Sequence, residues 1–113
     1  MPGEDRGYML IQVNTDRNIE GDSALAQQVE AVVRSGLDRF KEHITRVEIH
    51  LSDENSDKKV GADAMRCLLE ARLAGLQPIP VSHRAATLEQ ALDGAVEKLK
   101  RSLDSTLGEL GNR

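Results

Sequence analysis

The chain has 113 residues, which is enough for one domain with a single hydrophobic core but not for two. One Phe, one Tyr and no Trp occur, so the core is predicted to be aliphatic, and recognition of single strands by base stacking is disfavoured. The 15 basic and 19 acidic residues give a net charge of -4, which excludes a wholly basic nucleic-acid binder but not a local basic patch.

The first half of the chain predicts a strand, a helix and a second strand. Polar and apolar residues alternate over Tyr8–Asn14, which is typical of a strand. Asp22 is a favourable N-cap for a helix that extends to about Lys41. The segment Arg46–Ser52 alternates most regularly, so it is predicted to be a strand with one buried and one solvated face.

The second half predicts two further strands and a long amphipathic helix. A charged loop over Asp53–Gly61 leads into a third strand over about Asp63–Ala74, and the fourth strand covers Ile79–Ala85. Pro80 cannot donate a backbone hydrogen bond, which places the fourth strand at a sheet edge. Apolar residues at helical spacing then predict a helix over Thr87–Leu110, with Thr87 as its cap.

These elements predict an α+β fold of order β-α-β-β-β-α. The first helix connects two strands that should lie parallel and adjacent, and the remaining strands follow as a meander. The result is a four-stranded sheet of order 1-2-3-4 with both helices on one face. No linker or repeat divides the chain, so residues 1–113 are predicted to form a single domain with an ordered core over about 8–110.

No cluster of residues predicts catalysis or metal binding. Asp53, Asn55 and Asp57 resemble the start of a calcium loop, but Lys58 replaces the required Gly and Ala64 replaces the bidentate Glu. The three histidines have no partners at ligand spacing and are interpreted as surface residues. No nucleophile, paired-carboxylate or phosphate-loop motif is present. We therefore expect no enzyme activity, cofactor, metal or small-molecule substrate.

The cellular location follows from what the sequence lacks. Cys67 is a single cysteine, which excludes an internal disulfide, and its place in the third strand predicts core packing. No apolar segment approaches the ~20 residues of a membrane-spanning helix, and the N-terminus has no signal-peptide pattern. The sequence therefore predicts a cytoplasmic protein without membrane association.

The remaining chemical feature is a set of basic side chains near the predicted helices. They occur in the connection after the first strand, on the first helix and on the last helix. These candidate RNA-binding residues are Arg17, Arg34, Arg39, Lys41, Lys98, Lys100 and Arg101. Acidic residues are interspersed with them, so the pattern alone favours two solvated helix faces with internal ion pairs over an RNA-binding surface.

Three segments resemble the ribosome hibernation-promoting factors and ribosome-associated inhibitors, once described as modulators of an alternative sigma factor. They are Asp16-Arg17-Asn18-Ile19-Glu20, Ile44-Thr45-Arg46-Val47-Glu48-Ile49 and Glu97-Lys98-Leu99-Lys100-Arg101-Ser102-Leu103. The resemblance covers about Met9–Ser105. It implies a fold like that of the double-stranded-RNA-binding domain and a protein that blocks translation on the small ribosomal subunit, near the decoding centre. Carried over by position, Arg17, Lys98 and Arg101 match basic positions of the family.

The chain also departs from the family pattern. Thr87-Leu88-Glu89 replaces the Asp-Met-Tyr that often begins the last helix, and the first helix is poorer in Lys. No counterpart of the long members' C-terminal dimerisation domain is present, so we expect a short, single-domain and diverged member. The acidic balance and the apolar Leu68 and Leu76, which are expected to be exposed, leave an alternative, a regulatory module that keeps the fold but binds a protein partner instead of the ribosome.

Overall fold

The computed structural model describes residues 9–17, 19, 21–54 and 64–111. Four strands form one sheet in the order β1-β2-β3-β4. They are β1 (Leu10–Thr15), β2 (Ile44–Asp53), β3 (Met65–Leu73) and β4 (Ile79–Ala85). β1 pairs with β2 in parallel, and the two other pairs are antiparallel. The predicted α+β fold, its element order and the edge position of β4 are confirmed.

Two helices complete the domain, α1 (Ser23–Gly36) and α2 (Leu88–Gly111). Each begins with a side-chain cap, as predicted. The Asp22 carboxylate accepts a hydrogen bond from the Leu25 N–H at 2.9 Å, and the Thr87 hydroxyl accepts one from the Gln90 N–H at 3.1 Å. These bonds satisfy backbone donors that lack partners in the first turn, which fixes where both helices start.

Both helices cover the same face of the sheet. Val47, Ile49 and Leu51 of β2 point into one core together with Val33 of α1 and Leu99 of α2, and all five are at most 2% exposed. Since successive side chains of a strand point to opposite faces, the helices must share the face that these β2 residues occupy. The buried face predicted for β2, the core position of Cys67 in β3 and the amphipathic character predicted for α2 are confirmed.

The first helix is shorter than predicted. It ends at Gly36 rather than near Lys41, and the chain continues as a 3₁₀ turn over Asp38–Phe40. Leu37 leaves the helical conformation, yet both Leu37 and Phe40 are buried. A 3₁₀ turn brings residues three apart onto one side, so it directs both side chains into the core. Consequently Arg39 lies in the 3₁₀ turn and Lys41 after it, not on α1.

The observed bounds of the strands differ from the predicted bounds by a few residues. β2 begins at Ile44 instead of Arg46, and the pairing register with β3 shifts between these two residues. This irregularity turns the buried Ile44 toward the core. Tyr8 and the residues Asn55, Asp57 and Lys58 of the predicted loop lie outside the described residues.

The turn between β3 and β4 falls where the sequence predicts it. Gly75 has a φ of +78°, in the left-handed region that glycine adopts without steric cost. The Leu76 N–H donates to the Leu73 carbonyl at 3.2 Å and closes the turn. Leu76 itself is exposed, as expected.

The second face of the sheet, here called the open face, points away from the helices. The side chains that the pairing register places on it are those of Leu10, Gln12, Asn14, Arg46, Glu48, His50, Ser52, Arg66, Leu68, Glu70, Arg72, Pro80, Ser82 and Arg84. Leu68 is half-buried there, so the expectation that it is exposed is wrong. Leu10, at the β1 edge, is 68% exposed instead.

Candidate nucleic-acid interface

Arg17 lies just after the C-terminal end of β1, away from the other candidate RNA-binding residues in the first half of the chain. It occupies a turn after the strand and is exposed. The neighbouring Asp16 anchors this turn, because its backbone N–H donates to the Leu51 carbonyl at 3.0 Å and its carboxylate accepts from the Asp53 N–H at 3.2 Å. Arg17 therefore projects from a fixed corner of the sheet.

Arg34 lies at the other end of β1, in the last turn of α1. Its guanidinium donates to the Met9 carbonyl at 3.2 Å and to the Glu30 carboxylate at 2.8 Å. Since the six residues of β1 span ~20 Å, Arg17 and Arg34 cannot contact one phosphate together.

Arg39 links the 3₁₀ turn to α2. Two parallel hydrogen bonds of 2.8 and 2.9 Å join its guanidinium to the Asp104 carboxylate, and its Cζ lies 4.3 Å from the centroid of the Phe40 ring. The hydrogen bond from Arg39 lowers the pKa of Asp104, with a smaller contribution from the charge of Lys100, and Asp104 in turn raises the pKa of Arg39. Both partners stay ionised around neutral pH, so the Arg39 charge is locally balanced.

The basic residues of α2 lie on different sides of the helix. Lys98 Nζ donates to the Ser82 carbonyl of β4 at 2.8 Å, whereas Lys100 is paired with Glu97 at 3.3 Å and lines the groove toward α1. Residues two apart on a helix point about 200° apart, which explains the separation. Arg101, three residues after Lys98, is exposed, and no ion pair is found for it within the described residues.

The structure does not gather the seven predicted residues into one positive surface. Four of them form ion pairs with carboxylates: Arg34 with Glu30, Arg39 with Asp104, Lys41 with Asp38, and Lys100 with Glu97. Across the part of the chain that is described, Arg17, Lys98 and Arg101 have no carboxylate within salt-bridge distance. α2 as a whole carries three basic and five acidic side chains, a net charge of -2. Carboxylates thus interrupt the basic surface of the helices.

An apolar cleft opens between the first halves of α1 and α2. It has a volume of about 260 Å³ and is lined mainly by aliphatic side chains: Leu25, Val29, Val32, Leu51, Leu88 and Leu92. Gln28, Glu89 and Asp93 also line it, so its polar lining contains two acids and no base. Such a cleft suits an apolar side chain of a partner better than a phosphate group.

Cys67 and the three histidines differ in burial. Burial raises the pKa of the Cys67 thiol to about 12, so it stays protonated in the core, as its position in β3 predicts. His43 and His50 are exposed, but His83 is half-buried on the core face and packs against Gly94 of α2, which corrects its interpretation as a surface residue. Among the described residues no group of His, Cys, Asp and Glu could hold a metal ion, and none of their helices is long and apolar enough to cross a bilayer.

The arginines of the strands are not among the residues predicted to bind RNA. Alternation of inward and outward side chains along a strand places Arg46, Arg66 and Arg72 on the outer side of the sheet, and Arg84 follows the same rule in β4. The predicted basic surface was confined to the helices and the loop before α1. The sequence signal for these residues was that Arg66 and Arg72 both occupy outward positions of β3.

Comparison with known proteins assigns the chain to a family. The model of the family described as "Sigma 54 modulation protein / S30EA ribosomal protein" matches residues 12–109. The chain belongs to this family. The match includes all three segments that carried the resemblance, so the recognition made from the sequence is confirmed. No curated protein sequence matched the chain.

Solved structures share the fold of this S30EA family member. The N-terminal domain of Protein Y from Thermus thermophilus is 24% identical, with a TM-score of 0.67 over 87% of this chain and 99% of that one. A ribosomal subunit interface protein from Coxiella burnetii is 16% identical, with a TM-score of 0.67 over 88% of this chain and 99% of that one. At these identities the similarity establishes the fold.

Proposed function

We propose that this protein binds the small ribosomal subunit near the decoding centre and inhibits translation by occupying that site. The family match over residues 12–109 carries the proposal, because the family is one of ribosome-associated, non-catalytic proteins. The structural relative named as a ribosomal subunit interface protein supports the same partner.

Ribosomal RNA phosphates are the proposed ligands of Arg17, Lys98 and Arg101. These side chains are exposed and lack carboxylate partners within the described part of the chain, so binding a phosphate would break no ion pair. The contacts would position the protein without reading sequence. Arg34, Arg39, Lys41 and Lys100 are secondary candidates, because each would have to exchange a carboxylate for a phosphate. Such an exchange costs little at an exposed site, where ion pairs are weak.

Co-sedimentation of the purified protein with small subunits tests the proposal. At low salt, where phosphate contacts are strongest, we expect the protein to migrate with the subunit and to inhibit translation in a purified system. Hydroxyl-radical footprinting of the subunit RNA then tests the decoding-centre location, with protection expected there. Absence of co-migration at micromolar protein would refute subunit binding, and protection confined to another region would refute the location alone.

The apolar cleft favours a second candidate function, binding of a protein partner. Its aliphatic lining, with Glu89 and Asp93 beside it, and the net charge of -4 fit a basic segment that inserts an apolar side chain. A pull-down from lysate with and without nuclease distinguishes the two functions. Capture that survives nuclease treatment supports a protein partner, whereas capture that is lost supports the ribosome.

A further inference from the structure

The four arginines of the strands lie together on the open face. Arg46 of β2 is the direct pairing partner of Arg72 in β3, and Arg66 of β3 is the direct partner of Arg84 in β4. Like charges opposite each other destabilise a sheet. Two such pairs in one four-stranded sheet therefore need either compensation within the protein or an anionic ligand.

Carboxylates compensate these pairs only in part. Glu54 follows β2 and lies 2.6 Å from Arg84 and 3.6 Å from Arg66, so one acid serves two arginines. Glu48 lies 3.1 Å from Arg46 and 3.9 Å from Arg72.

Glu70 makes a further contact with Arg72, at 3.6 Å. The four arginines and these three carboxylates leave one net positive charge. α2, on the other side of the sheet, carries a net charge of -2. The positive excess therefore lies on the open face.

The arginine side chains are also more exposed than those of the three acids. The four arginine side chains are 35–55% exposed, whereas those of Glu48, Glu54 and Glu70 are 20–32% exposed. Each guanidinium has five N–H donors, and the carboxylates use few of them, although Arg46 also donates to the Gln12 side-chain oxygen. An approaching ligand therefore meets a surface of unused donors above a layer of acids.

We propose that the open face of the sheet is a binding surface for the phosphate backbone of RNA, with Arg46, Arg66, Arg72 and Arg84 as the phosphate ligands. Apart from histidine, every basic residue of β2, β3 and β4 is Arg and none is Lys, and the planar guanidinium binds phosphate through two parallel hydrogen bonds. The two arginine pairs are separated along β3 by the six residues from Arg66 to Arg72, or ~20 Å. A polyanion, rather than a single phosphate, is needed to reach both.

The composition of the open face favours RNA over an acidic protein. Protein interfaces have an apolar centre from which charges are depleted. Here Glu48 and Glu70 face each other across the middle of the sheet, Leu68 is half-buried, and the exposed Leu10 lies at the margin. The described strands carry no Phe, Tyr or Trp for base stacking, so the proposed contact is with the phosphate backbone. The inference rests on the proposed function in one respect, that the natural polyanion is ribosomal RNA.

The test uses the double variant Arg72→Gln/Arg84→Gln. It removes the more exposed arginine of each pair and leaves Arg46 beside Glu48 and Arg66 beside Glu54. Within the described residues, Glu70 is the one carboxylate that loses its ion pair, the contact with Arg72. The matched control, Lys58→Gln/Lys59→Gln, removes the same charge from elsewhere in the sequence. Binding of each protein to a 24-base-pair RNA duplex and to purified small subunits is measured between about 50 and 200 mM salt.

We expect the log–log salt slope of the Arg72→Gln/Arg84→Gln variant to fall by roughly 0.7 to 0.9 for each of two lost contacts, with the control close to wild type. An unchanged slope on both probes, or wild-type protein that binds no duplex, overturns the inference. If the Arg72→Gln/Arg84→Gln variant binds small subunits with an unchanged slope, the proposed function stands and the inference about the open face does not. If the protein binds the duplex through these arginines but does not bind the subunit, the proposed function is refuted. The inference that the open face binds RNA phosphates is then supported.

Two further measurements test the identity of the ligand and the geometry of the contact. Poly-L-glutamate that competes as well as RNA at equal charge concentration would identify an acidic protein as the ligand and overturn the RNA assignment. Should the glutamine variant not melt cooperatively, Arg72→Lys/Arg84→Lys replaces it. This variant keeps the charge but loses the bidentate geometry, so we expect weaker duplex binding with a retained slope. Unchanged affinity of the lysine variant would contradict a guanidinium-specific contact.

Discussion

The two faces of the sheet differ in what their side chains do. On the core face, Val47, Ile49 and Leu69 are fully buried under the helices. On the open face the alternate positions carry exposed arginines such as Arg72 and Arg84 above partly buried acids. Substitutions on the core face should therefore change folding without changing charge. Substitutions on the open face should change binding of polyanions without changing folding.

The largest effect on folding is expected from Leu99→Ala. Leu99 is fully buried at the centre of α2, so its truncation removes apolar contacts and leaves a cavity. We expect a loss of ~2 to 5 kcal/mol in the free energy of unfolding, measured by denaturant titration. Lys98→Ala is the neighbouring control and should cost little. Equal losses in both variants would show that α2 is rotated from the orientation that buries Leu99.

Gly94 provides a second test of the contact between α2 and the sheet. A Cβ built on Gly94 would overlap the His83 ring, so this ring packs directly against the helix at a position that has room for glycine alone. Gly94→Ala should therefore destabilise the protein by ~1 to 3 kcal/mol, despite the better helix propensity of Ala.

Gly108 in the same helix is the matched control, because a Cβ there meets nothing within 4 Å. Gly108→Ala should stabilise the protein by ~0.5 to 1 kcal/mol, through helix propensity alone. Thermal melting of both variants gives the comparison. Stabilisation by both substitutions would mean that α2 does not lie against His83.

The reactivity of the Cys67 thiol tests how well the helices exclude solvent from the core face. Because burial raises its folded-state pKa to about 12, the native thiol should react with a disulfide reagent at pH 8 far more slowly than the thiol in denaturant. The unfolded thiol ionises at a lower pH than the folded one. Stability linked to Cys67 is therefore complete below the unfolded pKa and declines as pH rises above it. Equal reaction rates in native and denatured protein would show that the core opens readily.

A smaller pH effect is expected from Asp104. Its folded pKa is lowered by Arg39, so the stability that it contributes is present above its unfolded pKa of about 4 and is lost as pH falls through the folded value. Asp104→Asn should flatten the acidic side of the profile of melting temperature against pH. The change should be small because the pair is exposed. An unchanged profile would show that the pair is not formed in solution.

Much of the fold could be predicted from the sequence because local patterns and burial agree. The alternation in β2, the caps Asp22 and Thr87, and Pro80 in β4 each specify one feature, and together they leave one sheet order. The end of α1 could not be predicted in this way. The helical spacing continues through Leu37 and Phe40, and only packing against the core decides that these residues form a 3₁₀ turn.

The charges of the candidate site were less predictable. Arg39 and Asp104 are 65 residues apart in sequence, and only the folded chain brings them within hydrogen-bonding distance. A spacing of three residues predicts that Lys98 and Arg101 lie on one side of the apolar stripe of α2, but it does not predict that Lys98 contacts the Ser82 carbonyl of β4. The number of basic residues can be counted from a sequence. Which of them are paired with carboxylates in the folded protein depends on tertiary contacts.

Salt dependence of small-subunit binding tests the central claim most directly. For Lys98→Ala/Arg101→Ala we expect a melting temperature near that of wild type, weaker binding, and a log–log slope reduced by roughly one unit per lost phosphate contact. Lys58→Ala/Lys59→Ala serves as the control and should have a smaller effect. If the control pair weakens binding as much as Lys98→Ala/Arg101→Ala does, the account of α2 as an RNA-contacting surface is wrong.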